Sequence, residues 1–165
     1  MRHKSLSALA GLTLLSMAPS QAQAADILFN RYLAGGTCYM RLYDAQHMRR
    51  NPKQTLSKFH VVAMAGDPLK AQHPKTYTVR FNYWIKNAGY YDGQATCNTL
   101  GAGATCSVEA DGGSFVLTPQ GKQLKVTLGS RLEVEGAKNF SPNVATSANR
   151  VMLLPAAPSG SCRSG

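Results

Sequence analysis

The segment TYTVRFNYWIKN, residues 76–87, decides the fold, because its side chains sort into two sets that alternate with a period of two. This period is typical of a β-strand with one buried face. One face carries apolar and aromatic side chains, namely Tyr77, Val79, Phe81, Tyr83 and Ile85. The opposite face carries the more polar set Thr78, Arg80, Asn82, Trp84 and Lys86. The segment therefore predicts a strand whose first face packs into a core.

Weaker runs of the same kind occur along most of the chain and are separated by turn residues. They lie at 37–43, 58–65, 90–97, 104–109, 114–118, 123–128, 131–136 and 150–154. Segments such as DGG (111–113) and PQGK (119–122) favour tight connections between strands. We therefore predict one all-β domain, either an antiparallel β-sandwich or a small β-barrel of about eight or nine strands, stabilised by disulfides.

The connections contain one expected helix. Asp44 can cap a short helical turn over 45–51, which Pro52 limits because the residue before a proline disfavours helical geometry. Residues 65–75 and 136–149 are expected to be loops.

The first 24 residues have the pattern of a secretion signal. Basic residues 2–4 precede an apolar run at 6–18, and Ala22-Gln23-Ala24 matches a cleavage site. The apolar run is shorter than the roughly 20 residues that span a bilayer. We predict cleavage after Ala24, a single β domain over 25–154, and a tail over 155–165 tethered only by Cys162. The mature protein is expected to be periplasmic or secreted, with no transmembrane segment.

Export places the four cysteines in an oxidising compartment, where they are expected to form disulfides. Four cysteines allow three connectivities. Cys97 and Cys106 flank a glycine-containing turn at 101–103, which favours pairing them across a hairpin. Cys38 would then pair with Cys162. The chain contains no CxxC pair, so we expect these cysteines to bind no metal.

The chain is strongly basic, with 18 Lys and Arg residues against 8 Asp and Glu and a net charge of +10. Without residues 1–24 the formal charge is +8, of which residues 45–90 carry +7. This concentration indicates an anionic partner. The predicted contact residues are Arg49, Arg50, Lys53, Lys58, Lys70 and Lys75. The alternative is a basic surface that is merely solvated. Export argues against nucleic acid as a physiological partner.

The histidines do not predict a catalytic or metal site. His47, His60 and His73 are spaced 13 residues apart on a connector, a strand and a loop, which is not a ligand spacing. We interpret His60 as an ordinary, partly buried strand residue. Positive charge beside His47 also opposes binding of a metal cation.

The acidic residues do not predict a hydrolase. Glu133 and Glu135 share one strand face, and Glu109 and Asp111 flank a turn, so solvated strand faces explain both pairs. No serine lies in a GxSxG context. We therefore predict a protein that is not an enzyme and needs no cofactor.

The segments CYMRLYDAQHMRRNPKQ (38–54) and CSVEADGGSFVL (106–117), with RVMLL (150–154) ahead of a late cysteine, resemble a group of small exported proteobacterial proteins of unassigned function. The resemblance implies an exported β-rich domain and identifies no catalytic residue. Ala110 stands where a further cysteine is expected in that group, so the disulfide pattern of this chain can differ from that of the group.

Two functions of different classes follow. The first is an exported, non-enzymatic binding module for an anionic cell-envelope component such as acidic polysaccharide, lipopolysaccharide or an acidic protein. The alternative is a protein inhibitor or accessory subunit of an envelope or host enzyme. Lysozyme-type enzymes are disfavoured as targets, because they are usually cationic and would be repelled by a basic protein.

Overall fold

The protein is a closed barrel of eight antiparallel strands, joined in sequence order. A computed structural model describes residues 27–136, 139–146, 148–158 and 160–162; the predicted signal segment 1–24 lies outside them. The strands are β1 Cys38–Leu42, β2 Leu56–Ala63, β3 Thr76–Ile85, β4 Gly89–Leu100, β5 Gly103–Val108, β6 Gly113–Gln120, β7 Gln123–Leu132 and β8 Val151–Ala157. The all-β prediction is confirmed, and of its two architectures the chain adopts the barrel.

Most strands lie within a few residues of their predicted bounds, but two segments are organised differently. The expected strand over 131–136 does not form separately, because β7 continues through Leu132 and only Glu135 makes an isolated bridge, to Phe140. Residues 155–157, predicted to belong to the tail, complete β8, and Ala156 and Ala157 pair with β1. This Pro-Ala-Ala segment has low strand propensity, but pairing with β1 removes the open edges of the sheet.

The core lies inside the barrel and is formed by one face of every strand. Tyr77, Val79, Phe81 and Tyr83 of β3 are completely buried, as the alternation predicted. The ring of Phe81 packs edge-on against Phe115 of β6, with centroids 5.3 Å apart. Aromatic contacts of this kind stabilise beyond the area they bury.

Each end of the barrel is closed by a connecting segment. A helical turn at Phe29–Leu33 buries Leu33, and the hydroxyl of Tyr32 in this turn donates to the carbonyl of Gly121 at 2.7 Å. At the opposite end, the connection between β7 and β8 buries Val134 and Val144. The interior is therefore covered at both ends.

Two short helices lie in the connections. The α1 helix, Ala45–Arg50, begins where predicted, and the Asp44 carboxylate accepts from the backbone N–H of His47 at 2.6 Å. The α2 helix, Pro68–Gln72, lies in the segment predicted to be a loop. That prediction was wrong because Asp67 caps the helix and Pro68 suits its first turn. Within the described part of the chain, no helix is long and apolar enough to span a membrane.

The two helices mark opposite ends of the barrel. The α1 end holds the connections β1–β2, β3–β4, β5–β6 and β7–β8, whereas the α2 end holds β2–β3, β4–β5 and β6–β7. An eight-residue strand such as β2 separates the ends by roughly 25 Å along its own direction. Any surface formed by connections must therefore lie at one end or the other.

Both cysteine pairs favoured by the sequence are disulfides in this structure. Cys97 and Cys106 lie directly opposite each other on β4 and β5, and both are completely buried. Cys38 of β1 pairs with Cys162, 124 residues further along the chain. The second bridge holds the C-terminal segment against the barrel, where the sulfur of Cys162 lies 3.7 Å from the carbonyl oxygen of Val61.

Candidate functional site

The fold divides the six basic residues predicted to contact a partner between the two ends of the barrel. Arg49 and Arg50 lie in α1 and Lys53 follows it, all exposed at the α1 end. Lys58 lies on the outer wall of β2, close to the same end. Lys70 and Lys75, in contrast, lie in α2 and just after it, at the opposite end. The six residues therefore do not form one face.

Lys70 has a role within the fold. Its ammonium group lies 4.7 Å from the ring centroid of Phe29 and 5.9 Å from that of Tyr77, and it donates to the carbonyl oxygen of Pro74. A cation held over aromatic faces is attracted by their ring quadrupoles. Lys70 thus links α2 to the helical turn that closes the α2 end.

Lys58 is held in place on the barrel wall by aromatic neighbours. Lys58, Trp84 and Tyr90 follow one another across β2, β3 and β4. The ammonium of Lys58 lies 4.3 Å from the Trp84 ring centroid, and the rings of Trp84 and Tyr90 are 4.5 Å apart. Because this contact restricts a long, flexible side chain, Lys58 presents a pre-positioned cation at the surface.

His60 lies in the next row of the same wall, and its environment differs from the predicted one. The row runs Met40, His60, Asn82, Asp92 across β1 to β4. His60 is 0% exposed and Asn82 3%, although both lie on the outer face of the barrel. By distance and angle, neither ring nitrogen of His60 has a hydrogen-bonding partner among the described residues. The prediction of an ordinary, partly buried residue was therefore wrong.

The surroundings of His60 favour its neutral form. Burial is the main cause that lowers the pKa of its imidazole, and the positive charges of Lys58 and Arg80 lower that pKa further; Asn82 opposes the shift. Asn82 itself donates from its amide nitrogen to the hydroxyl of Tyr90. These contacts join the two rows into one wall cluster, which consists of Lys58, His60, Asn82, Trp84 and Tyr90.

A cleft of about 400 Å³ adjoins the wall cluster on the side of β4. Arg80, Asn82 and Gln94 line one side, and the connections after β5 and β7 line the other. Its acidic residues are four of the chain's eight, namely Asp92, Glu109, Glu133 and Glu135. Glu133 also pairs with Arg131 at 2.9 Å. We call this region the acidic cleft.

The acidic cleft is a product of tertiary structure. In the sequence its acids are divided between two predicted strands and a turn, but residues 133–136 form a connection that folds back towards β4. Gly93 of β4 makes this approach possible, because a Cβ atom there would lie 2.8 Å from both the Phe81 ring and the Val134 side chain. The α1 end therefore carries basic residues in α1 and, where the connections after β5 and β7 meet β4, the acidic cleft.

The described residues contain no group of three or more His, Cys, Asp or Glu side chains placed to hold a metal ion. The chemistry that the described arrangement offers is ionic and aromatic: one fixed cation, Lys58, on the wall, carboxylates in the cleft, and an imidazole whose burial favours its neutral form. The pattern of alternation already placed His60 and Trp84 on strands. Only the register of β2 against β3 could reveal that they are neighbours, with ring centroids 6.2 Å apart.

No protein-family model, curated protein or solved structure matches this chain.

Proposed function

We propose that this protein is an exported, non-enzymatic binding module for an anionic component of the cell envelope, such as an acidic polysaccharide, lipopolysaccharide or an acidic protein. The binding surface consists of Arg49, Arg50, Lys53 and Lys58 and is called here the basic surface. Lys70 and Lys75 are left out of it, because they lie at the opposite end of the barrel. The disulfides and the signal-like residues 1–24 support export.

The observation that carries this proposal is the fixed position of Lys58. Its ammonium is held 4.3 Å over the Trp84 ring, at the end of the barrel where Arg49, Arg50 and Lys53 are exposed. A cation that is already ordered loses less conformational entropy when a ligand binds. Three further flexible cations nearby increase the attraction for a negatively charged chain or surface.

Charge reversal tests the proposal with a matched control. The Arg49→Glu/Arg50→Glu variant and the Lys122→Glu/Lys125→Glu variant change the net charge equally, but the second pair lies near the α2 end. Binding is measured to dextran sulfate and to phosphatidylglycerol vesicles at several salt concentrations. We expect the first variant to lose most of the affinity and part of its salt dependence, because attraction between exposed charges is screened within about 8–10 Å. Equal losses in both variants would contradict a localised surface.

The acidic cleft favours one second candidate, the protein inhibitor or accessory subunit. Its carboxylates offer a local negative surface to a cationic protein, despite the basic charge of the whole chain. A pull-down from envelope extract separates the two functions. Recovery of a glycan or lipid supports the binding module, and one stoichiometric protein whose capture requires Glu133 and Glu135 supports the alternative.

A further inference from the structure

His60 is a side chain that barrel formation does not require. Phe59 and Val61 on either side of it point into the core, so His60 points outward. It is nevertheless completely buried, and neither ring nitrogen has hydrogen-bonding geometry to another described residue. A buried polar group without a partner lowers stability, and an apolar side chain at this position would avoid that cost. The position of His60 beside the basic surface suggests a use for the imidazole.

We propose that His60 makes the basic surface responsive to acid: on protonation the imidazole becomes hydrated and adds a cation between Lys58 and Arg80, so that anions bind more tightly at acidic pH. The ligand in this mechanism is that of the proposed binding function, on which the inference rests. The response of the wall cluster itself does not need a ligand and can be measured without one.

The charged groups around His60 are mainly cationic. The side chains facing it from the described residues are Met40 of β1, Lys58 and Val62 of β2, and Arg80, Asn82 and Trp84 of β3; Tyr90 and Asp92 of β4 lie one strand further away. Cys162, close to the Val61 carbonyl, brings the disulfide-bonded C-terminal segment to the same strand. A proton on His60 therefore joins Lys58 and Arg80, while the carboxylate of Asp92 lies beyond Asn82.

An imidazolium cannot remain in this position without cost. Burial and the two cationic neighbours oppose its charge, whereas a hydrated imidazole has an ordinary pKa near 6.5. Acid therefore favours a state in which the cover over His60 opens. The cover includes Trp84 and the Lys58 ammonium that rests on it. An anion bound at Lys58 stabilises the protonated state, and by linkage the proton strengthens binding of the anion.

The first experiment follows Trp84, which is the only tryptophan of the chain. Its fluorescence is recorded without ligand from about pH 8 to about pH 4.5, a range that includes the ordinary histidine pKa. We expect a transition with its midpoint below about 6.5, because the folded environment disfavours the imidazolium. The transition should disappear in His60→Leu and persist in His73→Gln, which changes an exposed histidine at the α2 end. Lys58→Gln should move the midpoint upward, because it removes a cationic neighbour.

A second substitution controls for misfolding of the His60→Leu variant. His60→Gln keeps a polar side chain but cannot titrate, and circular dichroism checks that both variants retain the barrel. If Trp84 fluorescence in the unsubstituted protein does not change with pH, the inference is overturned. A transition that survives unchanged in a folded His60 variant also overturns it.

The second experiment measures binding to dextran sulfate, whose charge is constant over this range. We expect its Kd to decrease about fivefold or more between about pH 7.5 and about pH 5, within the usual range of coupling between two sites. Most of this change should be lost in His60→Leu. His47→Gln is a further control, since His47 lies in α1 and does not belong to the wall cluster. Failure to bind dextran sulfate at either pH would contradict the proposed function, whereas binding with a pH-independent Kd would overturn the present inference and leave the proposed function standing.

Discussion

The inner and outer faces of β2 and β3 are both buried at the middle of these strands, but they differ in chemistry. Inside, the ring centroids of Phe59, Phe81 and Tyr83 are each 6.2 Å apart. The hydroxyl of Tyr83 lies 2.7 Å from the hydroxyl of Ser141. Outside, His60 is equally buried, but its ring nitrogens have no hydrogen-bonding partner within the part of the chain that the structure describes. Packing explains most of the inner face, where the hydroxyl of Tyr77 is likewise buried without a partner among the described residues, whereas on the outer face the group without a partner is a whole imidazole ring.

The comparison shows that a side chain can be buried without stabilising the fold. A side chain that fills the interior contributes through the apolar area it removes from water. A buried polar group without a partner works against that contribution, so its presence calls for another explanation. For His60 we propose that the explanation is binding and its response to acid. Five predictions compare the two faces and the surfaces around them by the effect of substitutions on stability and binding.

The largest effect is expected from the disulfide outside the interior. Replacing Cys38 and Cys162 by Ala should lower the free energy of unfolding by up to about 5 kcal/mol, because the bridge closes a long loop of the unfolded chain. Replacing Cys97 and Cys106, which close a short loop, should cost about 2.7 kcal/mol by the same entropy argument. Denaturant unfolding of both variants gives the comparison. Peptide mapping without reduction checks the pairing, and a Cys38–Cys97 bridge would refute it.

Phe81 tests the inner face. Phe81→Ala should lower the free energy of unfolding by about 3–5 kcal/mol, because a completely buried ring would leave a cavity beside Phe115. Urea denaturation provides the measurement. A loss below about 1 kcal/mol would mean that the barrel interior is not packed as described.

The outer face is tested by the way the free energy of unfolding depends on pH through His60. Since burial lowers its folded-state pKa, the unfolded chain takes up the proton first, and the protein should lose stability as pH falls below about 6.5. One group can contribute at most about 1.4 kcal/mol per pH unit in this window. In the His60→Leu variant, the free energy of unfolding should fall less as the pH is lowered, by the amount that His60 contributes. Chemical denaturation at several pH values measures it, and identical curves for both proteins would show that His60 does not titrate.

Thr78 shows that part of the face predicted to be polar is covered. Its backbone N–H donates to the carboxylate of Asp67, and its hydroxyl lies 3.4 Å from the same group. Thr78→Ala should therefore cost about 1 kcal/mol, the usual value of a buried hydrogen bond. Thr78→Ser, which keeps the hydroxyl, is the matched control in thermal unfolding. Equal losses would assign the effect to packing of the methyl group.

The smallest effect on stability is expected at the basic surface. Reversing Arg49, Arg50 and Lys53 to Glu should change the free energy of unfolding by less than about 0.5 kcal/mol for each residue, because all three are exposed. Anion binding should fall strongly in the same variant. Loss of folding instead would mean that these residues stabilise α1 and are not available for a ligand.

Local patterns in the sequence predicted much of the fold. Alternation at 76–87 identified the buried face of β3, and Asp44 correctly marked the start of α1. The missed helix α2 had a local signal as well, since Asp67 and Pro68 form a favourable start. The grouping of the basic residues was harder to predict, because charge along the chain does not show at which end of a barrel each connection lies.

The sequence by itself determined the all-β class, the strand faces and a favoured cysteine pairing, because these depend on side chains close together in the chain or on alternation along one strand. Tertiary structure alone decided that the sheet closes through 155–157, that Lys70 and Lys75 are remote from Arg49, and that four acids share a cleft. It also placed His60 beside Trp84. These relations depend on strand register and closure, which join residues distant in sequence, and a one-residue change in register would reverse which face each side chain occupies.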